Sequence, residues 1–400
     1  MDRVILTGAA LLIALCVTVV PLWADTISVP LKPMEIPDST NAMAQLAVRR
    51  VAGQAGGHPT LRVPPKGISR QATYFSVQVA GKTLLMAMEY SRSASKLYVD
   101  GNADGDLSND RPLVARRSRG RKQVFPAMPL KTADGSKVFV KIEAASQYTL
   151  YIYPGAMYSG TAKVGDKSFR VFVADANFNG TFSDRYSGTS RATGGPAYDV
   201  LGVDMDGNRR LGGAVNCCEE VMPLPKVVRL GDAFYSVSAA ADAKTLELEP
   251  AQVETGTLDV GMPYANLLLW SENGAYRISD GNAKCELPAG HYTPKDLNLV
   301  KKDKGGATWT LDGYPSGKVT SFDIAAGETK SLPLGTPLKA KVSIGRGTGG
   351  ALSLSFNIYG AADESYGAGA YRNGRRQPLP RFTIVDESGK KVGSGSWSYG

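Results

Sequence analysis

Histidine is almost missing from this sequence: His58 and His291 are the only two in 400 residues. A Ser–His–Asp triad would need one of them, and nothing near either completes one. The HExxH zinc pattern, the GxSxG nucleophile turn and a Walker-type phosphate loop are also missing. Cysteine is scarce as well, with four residues, Cys16, Cys217, Cys218 and Cys285, too few for a disulfide scaffold. Cys217 and Cys218 in NCCEE have no third thiol or histidine nearby, so a soft-metal site is not indicated. They read instead as a buried or bridged pair. A bridge between the two neighbours is strained, and a bridge from either to Cys285 stays open. No long stretch carries a helical period. These gaps point away from an enzymatic centre. Glycoside hydrolases need only two carboxylates brought together by folding, so an extracellular glycan hydrolase on a β-sandwich scaffold stands as the alternative.

There is one long apolar run, VILTGAALLIALCVTVV, from Val4 to Val20, behind Arg3. Pro21 breaks it, and Ala24 offers a small residue for cleavage. Residues 1–24 are therefore expected to be a signal peptide, with an uncleaved membrane anchor as the rival reading. Leu15 before Cys16 disfavours a lipoprotein. Removal of 1–24 takes away one acid, Asp2, and one base, Arg3, so the net charge stays at +9. An exported basic chain suits an anionic glycan or cell-wall polymer as partner. The expected location is extracellular, periplasmic or cell-surface. The remaining cysteines are odd in number, which leaves one thiol over. Oligomeric state is not legible.

Turn formers are plentiful, with 45 Gly and 23 Pro, and short alternating segments recur between them: TYFSVQV, KLYVD, KVFVKI, TLYIY, SFRVFV, DAFYSVS, KTLELE, KAKVSI, LSLSFNI and RFTIVD. Period-two patterns bounded by Gly, Asp, Asn or Pro are strands. The fold class is mainly β, in several small sandwich- or barrel-like domains with acidic Asp/Asn/Gly loops between strands. A chain this long suggests roughly two to four domains. Residues 25–70 read as a Pro/Gly-rich arm, 71–125 as a first β unit, and 126–250 as a second. A linker, ELEPAQVETG, runs from Glu247 to Gly256. Residues 257–332 make a third unit and 333–400 a fourth, which ends in WSYG within a strand pattern and can be incomplete as given. STNAMAQLAVRR is the one helical candidate, capped by Ser39 or Thr40.

The densest feature is VDGNADGDLSND. With Asp100 at position one, Asn102 stands at three, Asp104 at five, Gly105 at six, Asp106 at seven, Ser108 at nine and Asp110 at eleven. Alternate oxygens in a tight loop suit a hard cation that takes six to eight oxygen ligands. Glycine at six allows a sharp turn. Without a cation, carboxylates so crowded repel. DANFNGTFSD repeats the spacing with Asp175, Asn177, Asn179, Gly180 and Thr181, closing on Asp184. It carries less charge and is expected to bind more weakly. The two copies, each preceded by strands and a turn, hint at duplication. VDMDGNRR offers Asp204, Asp206 and Asn208, but its Gly207 is out of register and two arginines follow, so it ranks as a weak metal candidate. Ca²⁺ is the cofactor expected, as a stiffener of loops and not as a catalyst.

These stretches resemble the calcium loops of EF-hand proteins, dockerins and thrombospondin type 3 repeats over about a dozen residues each. Arg111 and Tyr186 replace the bidentate Glu at position twelve, and the flanks alternate as strands, so an EF-hand helix pair or a dockerin domain is not implied. LPAGHYTP resembles the Leu-Pro-Ala-Gly-x-Tyr turn of transthyretin-like β-sandwich domains at Leu287, Pro288, Ala289, Gly290 and Tyr292. That resemblance implies a sandwich over 257–332 and no activity. RPLVARRSRGRK, from Arg111 to Lys122, holds cations and no acid. Arg116, Arg117, Arg119, Arg121 and Lys122 are its anion-binding candidates, against the plainer reading of a solvated hairpin tip. Nucleic acid is not expected, because interleaved aromatics are lacking. Tyrosine clusters such as YTLYIY read as sheet cover. The residues together read as an exported, calcium-stabilised, non-catalytic binding or structural protein for extracellular polymers. A purely architectural surface-layer or matrix component is the third option.

Overall fold

A computed structural model describes residues 25–36, 42–79, 81–117, 122–131, 137–188, 196–262, 264–279, 283–346 and 352–397. Residues 1–24, read from the sequence as a signal peptide, the cap candidates Ser39 and Thr40, and Arg119 and Arg121 lie outside the described residues. The architecture is mainly β, built from several small sandwiches with acidic loops between strands, as the alternation predicts. The helix within STNAMAQLAVRR spans Ala42–Leu46.

The first sandwich sets two sheets face to face. One is ordered Gln54–Ala55, Thr73–Val79, Lys82–Glu89, Lys96–Val99 and Leu113–Val114. The other is ordered Arg49–Ala52, Thr149–Pro154, Lys137–Ser146, Gln123–Val124 and Arg116–Arg117, with Met128–Lys131 also on Lys137–Ser146. Alternation decides what is buried. TYFSVQV sends Phe75, Val77 and Val79 inward, and KVFVKIEAAS sends Val138, Val140, Ile142 and Ala144 to meet them. The register pairs Phe75 with Met86 and Val77 with Leu84, so the inward face is apolar along the middle of both strands.

In the second sandwich, Ile27–Pro30, Thr245–Ala251, Ala233–Ala239 and Val227–Leu230 face Val221–Pro223, Val200–Asp204, Lys167–Ala174, Ala156–Val164 and Lys32–Glu35. Phe169, Val171 and Val173 fill the space between the sheets. Phe172 and Ala174, on the opposite face of the same strand, pack against Met43 and Ala44 of the short helix. That sheet is covered on both sides, which is why VLGVD is apolar without alternation and wholly buried.

The third unit extends one sheet from Gly274–Ile278 through Ala265–Ser271, Gly290–Lys302, Thr308–Tyr314, Ser365–Arg372 and Leu352–Tyr359 to Lys339–Arg346. It packs on Lys284–Pro288, Thr255–Asp259 and Thr329–Ser331. The LPAGHY turn carries the chain from one sheet to the other, and the Tyr292 ring is fully buried against Tyr276 and Phe322. Pairing crosses the boundaries expected from composition. The segment 25–70 contributes strands to four sheets, the strands Lys137–Ser146 and Thr149–Pro154 complete the first sandwich, and Leu352–Arg372 continues the sheet of the third. Cys217 pairs with Cys285, while Cys218 is a buried free thiol. Among the described residues no helix is long and apolar enough to cross a membrane.

One residue ties two units together. Phe178 sits in the loop after Lys167–Ala174, a strand of the second sandwich, yet its ring is 0% exposed inside the core of the first. Phe178→Ala is expected to cost about 3–5 kcal/mol, measured as a lower urea midpoint. A loss below about 1 kcal/mol would mean that the ring is not a core member.

Candidate metal-binding loops

Three loops begin where a buried strand ends in aspartate: after Val99, after Ala174, and at Asp204 itself. Asp100, Asp175 and Asp204 are all buried. A buried carboxylate needs donors, and each finds them in its own loop. Asp100 accepts the N–H of Asp104 at 3.1 Å and of Gly105 at 2.9 Å. Asp175 accepts those of Asn179 at 3.3 Å and Gly180 at 2.8 Å. Asp204 accepts the N–H of Arg209 at 3.2 Å. At position three, Oδ1 of Asn102, Asn177 and Asp206 accepts the position-five N–H at 3.2, 3.1 and 2.9 Å. At position five, Oδ1 of Asp104, Asn179 and Asn208 accepts the position-seven N–H at 2.8, 2.8 and 2.6 Å.

Positions four and six are left-handed in all three loops. The φ values are 59° and 77° at Ala103 and Gly105, 59° and 89° at Phe178 and Gly180, and 72° and 65° at Gly207 and Arg209. The third loop therefore makes the same turn as the others. Its glycine has moved to position four, and Arg209 adopts at six a conformation that costs a non-glycine residue about 1–2 kcal/mol. The displaced glycine and the two arginines that follow rank this loop low by sequence. The turn is nevertheless kept, because the side-chain acceptors at one, three and five dictate it.

The loops differ in what they gather. In the first, Asp104 Oδ2 accepts Nδ2 of Asn102 at 2.8 Å and of Asn109 at 2.9 Å. Asp106 Oδ1 accepts the Ser108 N–H at 2.7 Å, so Ser108 enters through its backbone. Asp110 Oδ2 is buried without a hydrogen-bond partner. Burial, then the charges of Asp100, Asp104 and Asp106, push the Asp110 carboxyl up to about 6. In the second, Asp184 Oδ2 accepts from Asn177 Nδ2 at 2.9 Å, Asn179 Nδ2 at 2.7 Å and Thr181 Oγ1 at 3.0 Å. Asp199, which the sequence reading missed, stands behind them at 0% exposure. It accepts the N–H of Ala176 at 3.2 Å and of Asp184 at 2.8 Å. Burial, then Asp175 and Asp184, raise it to about 9, and burial raises Asp175 to about 6. In the third, Glu220 joins Asp204 and Asp206, and one carboxylate oxygen from each lies within 4.8 Å of the others. This group can hold a metal ion. Asp199 lies just before the strand Val200–Asp204 and Glu220 between the strands Cys218–Glu219 and Val221–Pro223, and no local spacing announces them.

The ion pairs within 4.0 Å among the described residues lie outside these loops, but Arg49 stands near enough to Asp175, and Arg62 to Asp104, to favour the charged carboxylates. The basic run is only partly described. Arg116 is exposed on a cavity of about 630 Å³ lined also by Met34, Glu35, Phe125, Phe139 and Lys141. Lys122 reaches Glu143 at 3.7 Å, and Arg117 lies in a short strand. Glu35 is the one carboxylate lining that cavity among the described residues, and it is paired with Lys141 at 2.7 Å. Comparison with family models, with curated proteins and with solved structures returns no match.

The raised carboxyls set a pH dependence for the cation-stripped protein. An acid whose folded pKa exceeds its unfolded value binds more protons when folded, so stability falls as pH rises between the two values. Asp110 and Asp175 place that fall between about 4 and about 6, and Asp199 extends it toward 9. Acids held low, such as Asp104 and Asp303, titrate below this window. With chelator present, the melting temperature is expected to drop from pH 5 to pH 8, and with excess Ca²⁺ the drop disappears because the ion replaces the protons. A chelated melting temperature that climbs over this range would contradict the arrangement.

Proposed function

We propose that this chain is an exported, non-catalytic binding or structural protein whose acidic loops are stabilised by Ca²⁺ and whose basic surface contacts anionic extracellular polymers. One observation carries the reading. Asp204, Asp206 and Glu220 each bring a carboxylate oxygen within 4.8 Å of the others, and Asp110 Oδ2 and Asp204 Oδ1 are buried without a hydrogen-bond partner. Positions one, three and five of each turn are Asp or Asn, whose side-chain oxygens are the ligand type of a hard divalent cation. Bound to the folded state alone, such an ion adds stability by mass action. The Cys217–Cys285 disulfide agrees with an oxidising compartment, where calcium is abundant enough to fill weak sites. Among the described residues, exposed Arg111 and Arg116 are cations that would face an anionic polymer.

Two measurements check it. Ca²⁺ at millimolar concentration should raise the melting temperature of chelated protein by about 5 °C or more. Asp104→Asn with Asp184→Asn, both on the first two loops, should shrink that rise. Coincident melting curves with and without Ca²⁺ would end the calcium reading. Retention on heparin or purified cell-wall polymer, lost at high salt and unaccompanied by any release of reducing ends, would fit the binding role; cleavage of the polymer would overturn it.

A further inference from the structure

We propose that the third loop and Glu220 form a divalent-cation site that clamps the second sandwich to the third. Asp204 is 4% exposed, and its Oδ1 has no hydrogen-bond partner. The carboxylate bearing that free oxygen is the one grouped with Asp206 and Glu220 within 4.8 Å. An ionised oxygen buried without a donor is strongly unfavourable unless a cation meets it. Glu220 is 1% exposed and held in place by the N–H groups of Met205 at 2.9 Å and Gly212 at 3.1 Å. Arg209 and Arg210 donate their backbone N–H groups into the loop while their side chains lie exposed. They do not fill the place of a cation.

The position gives the site its consequence. Glu220 separates the short strand Cys218–Glu219 from Val221–Pro223. The first pairs with Gly274–Ile278 of the third unit through Cys218 and Tyr276. The second pairs with Val200–Asp204 of the second sandwich. Glu219 is ion-paired with Arg277, and the Arg277 N–H donates to the Cys217 carbonyl at 2.7 Å. An ion held by Asp204, Asp206 and Glu220 joins the end of a second-sandwich strand to the segment that enters the third unit. Three carboxylates with no nitrogen or sulfur ligand select calcium, magnesium or manganese over zinc or copper. The inference rests on the calcium reading for the identity of the ion, and not on occupancy of the first two loops.

Equilibrium dialysis of the full chain with Ca²⁺, joined to hydrogen exchange of residues 214–223, tests it. The Asp104→Asn/Asp184→Asn variant should keep one ion that Asp206→Asn removes, or weakens about tenfold or more through the lost ligand charge. Exchange across 214–223 should slow with Ca²⁺ in wild type and not in Asp206→Asn. Glu220→Gln should behave alike; should it fail to fold, Asp206→Asn, on an exposed side chain, still decides. Undiminished calcium binding in Asp206→Asn, or exchange in 214–223 that ignores Ca²⁺ in wild type, overturns the proposal while leaving the first two loops intact. Wild type that binds no Ca²⁺ overturns both readings. A single ion lost with Asp206→Asn upholds this site and removes the other two.

Discussion

Three carboxylates buried at the ends of strands govern the loops of this protein. Asp100, Asp175 and Asp204 lie too deep to be hydrated, so the chain bends until its own amides reach them. The bend requires left-handed backbone at two positions, and each loop accepts this whether or not a glycine is there: Ala103, Phe178 and Arg209 all comply. Side-chain acceptors therefore dominate backbone preference here. The price is about 1–2 kcal/mol per strained residue, against amide donors that satisfy a buried charge worth several times that.

The same turn is reused at places that matter for assembly. The second loop delivers Phe178 into the core of the first sandwich, and Arg49 lies over that ring while donating to the Asn177 carbonyl. The third lies beside the segment that crosses to the third unit. The first packs Leu107 under the outer face of the opening sheet, and its backbone meets Val63 of the N-terminal segment. Stiffening these turns thus stiffens contacts between units, because each anchors a side chain or strand outside its own sheet.

Much of the fold was legible from alternation. TYFSVQV and SFRVFV lie in strands, as their alternation predicts. What stayed hidden was pairing between segments far apart in sequence. Composition marked 25–70 as an arm, because Pro and Gly say where a chain turns and nothing about which sheet receives it. Its strands complete four different sheets. The sites divide in the same way. Asp100, Asn102 and Asp104 are adjacent and their common turn follows from spacing. Asp199 and Glu220 reach their loops only through strand pairing, so neither leaves a local trace. The displaced Gly207 and the two arginines rank the third loop low by sequence, yet it makes the same turn, because a glycine at position six only lowers the cost of a bend that the side-chain acceptors impose.

A metal-free Asx turn explains part of this geometry. Aspartate and asparagine favour such turns unaided, and neutral amide donors satisfy one or both oxygens of each position-one carboxylate. It does not explain the oxygens left over. Asp204 Oδ1 and Asp110 Oδ2 are buried without partners, and Asp199 is pressed against Asp175 and Asp184 with backbone amides as its hydrogen-bond donors. A turn needs no buried like charges behind it, and an Asn at any of these positions would serve it as well with less repulsion. Arg49 beside Asp175 and Arg62 beside Asp104 offset part of this charge, and acids retained where amides suffice make sense when further positive charge comes from solution.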